Sequence, residues 1–382
     1  MIKIKFENLL VSIVVSVVVF FNTISTTMLD RTFFQVKLNF LFLVILLLGL
    51  RFLHKMRVSY KYLILSILLL LSGGLVYFQT NRLNFLVYSM LLVLLVNVDM
   101  KVVLRNYVVV AGILVVGVFL LSLVGIVPNL QYNRAGVIRN SFGFIYPTDF
   151  ASHCFYLFLA ISYLLKDKLI WTRTLFGFLL SAFIIKYCDA RLNALSILLA
   201  TVIFIYFYYS DEKKLKIFAL LPYSAVVFAS IVTYLSYKFS WSNPFLVSVN
   251  KLITGRLALG RNAFDTFGVH LFGTRNVQFI GSGGKTESVI GYNYVDSSYV
   301  QMLFTYGIVP VVLLIVIYVV ASRKQYKDGQ YLFVAILSLI AFNCMIEAFW
   351  FVPTYNIFMF LLFTTNTFSE KESNDSVTLN IT

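Results

Sequence analysis

The feature that most constrains the fold of this chain is a succession of apolar runs, each roughly 14 to 25 residues long, separated by short polar connections. A helix of about 20 apolar residues is long enough to cross a lipid bilayer. Hydrophobic residues make up 60% of the 382 residues and charged residues 12%, which exceeds what the core of a soluble protein of this length needs. The sequence therefore predicts an all-α polytopic membrane protein.

Twelve apolar runs are predicted to span the membrane. The first follows Lys3 and Lys5, is long enough to span and lacks a cleavage site of small residues, so we interpret it as an uncleaved span. The runs cover residues 9–28, 38–53, 62–78, 83–98, 102–127, 146–165, 175–187, 192–209, 215–235, 298–320, 331–350 and 354–368.

The distribution of Lys and Arg predicts the orientation. An even number of spans places both termini on one side. If that side is the cytoplasm, the cytoplasmic segments carry 18 of the 31 Lys and Arg residues. Six of the other 13 belong to the polar segment 237–297, which is long enough to be translocated regardless of its charge. In the short connections, 18 Lys and Arg residues then lie on the cytoplasmic side and seven on the other side. This bias predicts that both termini are in the cytoplasm.

These assignments predict one transmembrane domain over residues 1–368. Segment 237–297 is then a large extracytoplasmic loop, part of which lies as an amphipathic helix on the membrane surface. Residues 369–382 are polar and are predicted to form a disordered cytoplasmic tail.

Charge, cysteine and histidine usage exclude several function classes. The net charge of +15 lies in the connections between apolar runs, where it sets orientation, so nucleic-acid binding is not expected. Neither the cysteines nor the histidines have metal-ligand spacing, and the cysteines are interpreted as packing residues. These residues are Cys154, Cys188, Cys344, His54, His153 and His270.

Four polar places are predicted to face the outer surface, and the first precedes and begins the sixth run. Arg134 and Arg139 lie there, and Pro147 suits the first turn of a helix whose free N–H groups favour an anion. Asp149 and His153 are four residues apart and share one face of this helix. They are candidate substrate-binding residues; alternatively, Asp149 caps the helix and His153 packs within it.

The second and third places also carry arginine. Arg191 begins a span beside Asp189, and either binds a ligand or extends to the interface as an anchor. In the long loop, Arg261 and Asp265 are four residues apart on the predicted helix and can pair with each other. Arg256 has no such partner, which makes it the better candidate for a ligand contact.

The fourth place is Asp296, which precedes the tenth run. It either caps that helix or, as the only acid at that mouth, acts as a general base.

With these motifs, the chain resembles the O-antigen ligase and polysaccharide polymerase superfamily, in particular the capsular and O-antigen polymerases of the Wzy type. The family has many spans, both ends inside and one large outer loop before the last spans. The local resemblance lies in RNSFGFIYPTDF at 139–150, DARLNAL at 189–195, ITGRLALGRNAFDTFGVHLFG at 253–273 and VDSSYVQMLFTYGIVP at 295–310.

The chain departs from the family pattern at three points. Thr148 and Asp149 stand where an Asn commonly follows the Pro, and Asp189-Ala190 replaces the usual Ser before Arg191. Asp296 stands where the ligases have His, which favours a polymerase over a ligase.

The resemblance implies a GT-C-like fold in the bacterial cytoplasmic membrane and a reaction at its outer face. A glycan held on polyprenyl pyrophosphate is transferred to a sugar hydroxyl of another lipid-linked repeat unit. The resemblance also implies catalytic roles for three residues. Arg191 and Arg256 bind the pyrophosphate leaving group, and Asp296 acts as the general base. Pyrophosphate leaves readily, so no metal or cofactor is expected. The implied substrate-binding residues are Arg139, Arg134, Arg261, His270, Asp149 and His153.

The implied partners are the lipid-linked oligosaccharide, the bilayer, and a chain-length regulator and a flippase. Two other functions stay open. A flippase or transporter would bury charges near the bilayer midplane between repeats, whereas these spans carry few charges, Glu347 being the main exception. A ligase-type transferase is the second alternative, although Asp296 stands where the ligases have His.

Overall fold

The computed structural model describes residues 6–29, 60–134, 136–210, 216–287 and 289–365, and over these it is mostly helical. The predicted span at 38–53 and the tail at 369–382 lie outside the described residues. The helices are α1 (Phe6–Ile24), α2 (Tyr60–Thr80), α3 (Asn84–Leu94), α4 (Met100–Leu123), α5 (Pro147–Leu164), α6 (Ile170–Cys188), α7 (Arg191–Tyr209), a 3₁₀ helix (Lys216–Tyr223), α8 (Ser224–Lys238), α9 (Pro244–Leu252), α10 (Arg256–Phe267), α11 (Ser298–Thr305), α12 (Ile308–Lys327), α13 (Tyr331–Asn343) and α14 (Ile357–Phe360).

Six helices within the described ranges are long and apolar enough to cross a membrane, which agrees with an all-α membrane protein. They are Tyr60–Thr80, Met100–Leu123, Ile170–Cys188, Arg191–Tyr209, Phe218–Lys238 and Ile308–Lys327. The full count of twelve spans stays a prediction.

Small residues let these helices approach each other closely. α6 packs on α7, and α1 packs on α4. At Gly177 of α6, an added Cβ would lie 2.2 Å from the hydroxyl of Thr201 on α7 and 3.0 Å from the ring of Phe158. Such contacts replace the hydrophobic driving force that is weak between helices in lipid.

The predicted run at 298–320 is divided into two helices, α11 and α12. They meet at Gly307, which has a φ of 96°. A Cβ there would lie 2.4 Å from the Leu271 carbonyl oxygen and 2.4 Å from the Gly273 nitrogen, because the chain after α10 passes directly over this point. The amide groups of Ile308 and Val309 donate to the carbonyls of His270 and Leu271 at 3.0 and 3.1 Å. The long loop is therefore hydrogen-bonded to the break in the apolar run.

The predicted run at 331–350 also differs, because α13 ends at Asn343. The Ser298 amide at the start of α11 donates to the carbonyls of Cys344 and Glu347 at 3.1 and 3.2 Å. Carbonyls left free near the end of α13 thus bond to the first turn of another helix. Glu347 lies in the non-helical segment that follows α13.

Two ends of the bundle can be distinguished. One end, called the loop end below, carries residues 128–134, 136–146, 189–190, 239–287, 289–297 and 344–356. At the opposite end, the Thr365 amide donates to the Val98 carbonyl at 2.8 Å, and Arg173 donates to the carbonyls of Ser162 and Lys166 at 2.8 and 2.9 Å.

Candidate functional site

A two-stranded hairpin at the loop end carries the first two arginines. Strands β1 (Gln131–Arg134) and β2 (Val137–Asn140) pair in antiparallel register, with Tyr132 opposite Arg139. Directly opposite residues project to the same face, as do residues two apart, so Tyr132, Arg134 and Arg139 share a face.

The connection between α6 and α7 anchors this face of the hairpin. Arg139 Nε donates to the Cys188 carbonyl at 2.9 Å, and Arg134 forms an ion pair with Asp189. Arg191 Nε binds the other oxygen of Asp189 at 2.9 Å. Burial opposes ionisation of Asp189, but the hydrogen bonds from Arg191 and Arg134 outweigh it, so the pKa of Asp189 lies below its usual value.

Two surface helices of the long loop position Arg256. α9 and α10 are separated at Thr254 and Gly255, both with positive φ, so the predicted amphipathic helix is two shorter ones. The Asn250 side-chain oxygen accepts from the amides of Leu257 and Ala258 at 3.0 and 3.1 Å. These are free donors of the first turn of α10. Arg256 is the first residue of that helix.

Arg256 has a partner, contrary to the sequence-based expectation. Its Nε lies 2.9 Å from Asp296 Oδ2, and the two side chains are 19% and 27% exposed. The pairing was not apparent from the sequence because the residues are 40 positions apart and meet only when α10 folds back beside α11.

Burial affects the pKa values of this pair in opposite ways. It raises the pKa of Asp296 above the usual value, although Arg256 and Arg139 act to lower it. Burial would lower the pKa of Arg256, but the charges of Asp296 and Glu347 and the hydrogen bond to Asp296 raise it above the usual value. Arg256 therefore remains cationic, as a residue that binds anions must.

A cavity of about 350 Å³ opens between these elements at the loop end. Its walls come from the hairpin, the start of α5, the start of α10, residues 281–282 and 292–296, and the connection after α13. The lining residues are Tyr132, Arg134, Arg139, Tyr146, Pro147, Thr148, Asp149, Thr254, Arg256, Leu259, Gly281, Ser282, Tyr292, Tyr294, Asp296, Glu347, Ala348 and Phe349. The cavity brings together five predicted site residues from three separate sequence segments.

Three carboxylates line the cavity, so the expectation that Asp296 is the only acid at this mouth was wrong. Asp149 and Glu347 join it, at 8% and 5% exposure. Asp149, in the first turn of α5, bonds back to the backbone of Tyr146 and accepts a hydrogen bond from the Tyr355 hydroxyl. Asp149 therefore caps its helix as one sequence interpretation predicted, and it also faces the cavity.

Glu347 differs from the other two acids in its environment. Within the described residues its carboxylate has neither a hydrogen bond nor an ion pair. Burial raises the pKa of Glu347 to about 8, with Arg256 lowering it and Asp296 and Asp149 raising it. A carboxyl group with this pKa exchanges its proton near neutral pH.

Four predicted site residues do not line the cavity. Arg191 has a side chain that is 71% exposed, and Arg261 pairs with Asp265 at 2.8 Å as its spacing predicted. His270 is exposed near the Phe267 carbonyl. His153 is fully buried, bonded to the Thr26 hydroxyl at 3.0 Å and stacked on Tyr355, which matches the packing interpretation.

Aromatic rings form much of the remaining wall. The Tyr146 hydroxyl accepts from the Gly283 amide at 2.7 Å, and the Tyr132 hydroxyl donates to the Ile145 carbonyl at 2.7 Å. These bonds join the hairpin, the start of α5 and the loop tip. The rings of Tyr132 and Tyr146, together with Tyr292, Tyr294 and Phe349, provide flat apolar faces beside the charged groups.

Glu347, Tyr132 and Tyr146 line the cavity without having been predicted as site residues. Glu347 could have been found, because a carboxylate near the end of an apolar run is a functional signal in a membrane protein. In the part of the chain that is described, no three His, Cys, Asp or Glu side chains are grouped so as to hold a metal ion.

Comparison with known proteins gives no relative for this chain: no family model, no curated protein and no solved structure matches it. The geometry of the cavity and the sequence motifs are therefore the observations that bear on function.

Proposed function

We propose that this protein is a membrane glycosyltransferase that polymerises a polysaccharide. It transfers a glycan from polyprenyl pyrophosphate to a sugar hydroxyl of another lipid-linked repeat unit, at the outer face of a bacterial cytoplasmic membrane. The observation that supports this most directly is the cavity that holds Arg134, Arg139 and Arg256 together with three carboxylates at one end of an apolar helical bundle.

The arginines suit a pyrophosphate leaving group. A planar guanidinium binds two phosphate oxygens at once and stays charged when partly buried. Arg139 keeps a backbone contact through Nε, and Arg134 and Arg256 are held by Asp189 and Asp296. Donors fixed before the reaction stabilise the charge that develops as pyrophosphate departs, because they need no reorganisation. In this proposal Arg134 takes the role that the resemblance gives to Arg191.

The aromatic wall suits a sugar ring. Tyr292 and Tyr294 offer flat apolar faces near the acids, and the cavity volume of about 350 Å³ accommodates one or two sugar rings with a phosphate group. A carboxylate of the cavity would accept the proton of the attacking hydroxyl, with Asp296 the candidate that the sequence motif supplies.

A flippase would handle the same lipid-linked units without extending them. Chain-length analysis of surface polysaccharide in a deletion strain separates the two. Single repeat units on the surface lipid support a polymerase, whereas complete loss of surface sugar would support a flippase. Complementation with wild type restores long chains, and complementation with an Arg139→Ala variant of equal abundance does not. Long chains in the Arg139→Ala strain would contradict the proposal.

A further inference from the structure

The three carboxylates of the cavity differ in what already holds them. Asp296 is paired with Arg256 at 2.9 Å, and Asp149 accepts a hydrogen bond from Tyr355 while it caps α5. Glu347 alone among these three has a carboxylate with neither an ion pair nor a hydrogen bond to the described residues, and it borders the cavity. A free carboxylate at the wall of a cavity is available to a ligand.

The backbone that carries Glu347 is firmly held. Its carbonyl accepts from both the amide and the hydroxyl of Ser298, and the Trp350 amide donates to the same hydroxyl at 3.0 Å. Trp350 is itself buried against Tyr299 and Tyr318. Glu347 therefore points from a rigid segment, as a residue that must meet a substrate atom at a defined distance requires.

Four charged groups, each from a different part of the fold, act on Glu347. Arg256 of α10 and Arg139 of the hairpin favour its ionised form, and Asp296 before α11 and Asp149 of α5 oppose it. Bound pyrophosphate would add negative charge beside the same arginines. The charges around Glu347 therefore control how readily its carboxyl group gains or loses a proton.

We infer that Glu347 is the general base of the proposed transfer, and that Asp296 is a positioning residue that holds Arg256. This inference rests on the proposed function. The hydroxyl oxygen of the acceptor sugar attacks the anomeric carbon of the donor, and its proton moves to the Glu347 carboxylate. The bond between the anomeric carbon and the pyrophosphate oxygen breaks, and its electron pair leaves with polyprenyl pyrophosphate beside Arg139 and Arg256. Glu347 then releases the proton to water.

The test compares Glu347→Gln, Glu347→Asp and Asp296→Asn with wild type in reconstituted membranes. The probe is the lipid-linked saccharide extracted from membranes of the deletion strain, and release of polyprenyl pyrophosphate is followed from pH 5.5 to 9. Binding of the same probe is measured separately on purified protein. Glu287→Gln is the matched control, because Glu287 is an exposed acid of the same loop outside the cavity.

The rate of transfer by the wild-type protein should rise with pH, because Glu347 must lose its proton before it can act as a base. Glu347→Gln should lower the rate roughly 100-fold or more, remove the rise with pH and leave probe binding within about twofold. Glu347→Asp should keep part of the rate and the pH dependence, and Asp296→Asn should weaken binding but keep the pH dependence. Glu287→Gln should match wild type.

Three results would overturn the inference while leaving the proposed function intact. These are a Glu347→Gln rate near that of wild type, loss of probe binding together with rate in that variant, or loss of the pH dependence in Asp296→Asn. A wild-type protein that releases no polyprenyl pyrophosphate would instead refute the proposed function itself.

Discussion

The site is built from arginines that are each held by a different set of partners. Arg256 meets a carboxylate, Arg134 a carboxylate and a carbonyl, and Arg139 a carbonyl. Partial burial makes these partners necessary, because an unpaired charge in a site of low dielectric is costly. Each arginine can therefore be tested against a chemically similar one outside the cavity.

Arg256→Lys tests whether transfer requires the planar guanidinium group of Arg256, with its several N–H donors, or only a positive charge. Arg256 uses Nε for Asp296 and Nη1 for Thr254, at 2.9 and 3.1 Å, and an ammonium group cannot reproduce both directions. We expect transfer of the lipid-linked saccharide to fall by roughly 10- to 100-fold with unchanged protein abundance. Arg261→Lys is the control, because Arg261 pairs with Asp265 outside the cavity. Equal activity of the two variants would count against a phosphate-binding role for Arg256.

Arg134→Ala and Arg191→Ala should differ, although both arginines bind Asp189. Arg134 lines the cavity, whereas the Arg191 side chain is 71% exposed and lies outside it. We expect Arg134→Ala to lower transfer by roughly 10-fold or more, and Arg191→Ala to change it by less than about threefold, since exposed ion pairs contribute little. The measurement is polysaccharide chain length in complemented deletion strains. The reverse order of effects would restore the family-based role of Arg191.

Among the helices, the sequence predicted the long ones and missed the points where they are interrupted. Hydropathy and length locate α2, α4, α6 and α7 because each is long and apolar enough to cross a membrane by itself. The break at Gly307 has no hydropathy signal, since apolar residues flank it on both sides. It exists because the loop after α10 crosses the chain there, and the sequence does not record that contact.

Gly307→Ala should destabilise the protein through this crossing. A Cβ would collide with backbone atoms of Leu271 and Gly273, and its φ of 96° disfavours any other residue. We expect a loss of about 2 kcal/mol or more in unfolding free energy, read as a lower thermal midpoint in detergent. Gly329→Ala separates the two causes, because Gly329 has a φ of 73° with no atom within 4 Å of the added Cβ. If both variants unfold alike, the crossing contributes nothing beyond the φ strain.

Charge patterning and sequence motifs alone predict that most of the site residues lie at one end of the bundle. Arg134, Arg139, Arg256, Asp149 and Asp296 do meet in one cavity. The ion pair of Arg256 and Asp296 could not be predicted, because it joins residues 40 positions apart. Glu347 carries a sequence signal, but its approach to this pair depends on a long-range contact as well. Short-range spacing predicted only the pair of Arg261 and Asp265, four residues apart.

The orientation of the bundle in the membrane can be tested directly. The excess of Lys and Arg in short connections predicts that the loop end faces outward. Ile290 is 98% exposed at the loop end, and Lys168 is exposed at the opposite end, so Ile290→Cys and Lys168→Cys report on the two faces. A membrane-impermeant maleimide applied to intact spheroplasts should label Ile290→Cys at once, and Lys168→Cys only after permeabilisation.

The parent chain is the control for this labelling, because Cys188 and Cys344 are fully buried and Cys154 is partly buried. Labelling of Lys168→Cys in intact spheroplasts, with Ile290→Cys protected, would mean that the loop end faces the cytoplasm. The cavity would then open to the side on which nucleotide-activated sugars are used, and polymerisation at the outer face would no longer be tenable. The same experiment therefore tests the topology and a condition on which the proposed reaction depends.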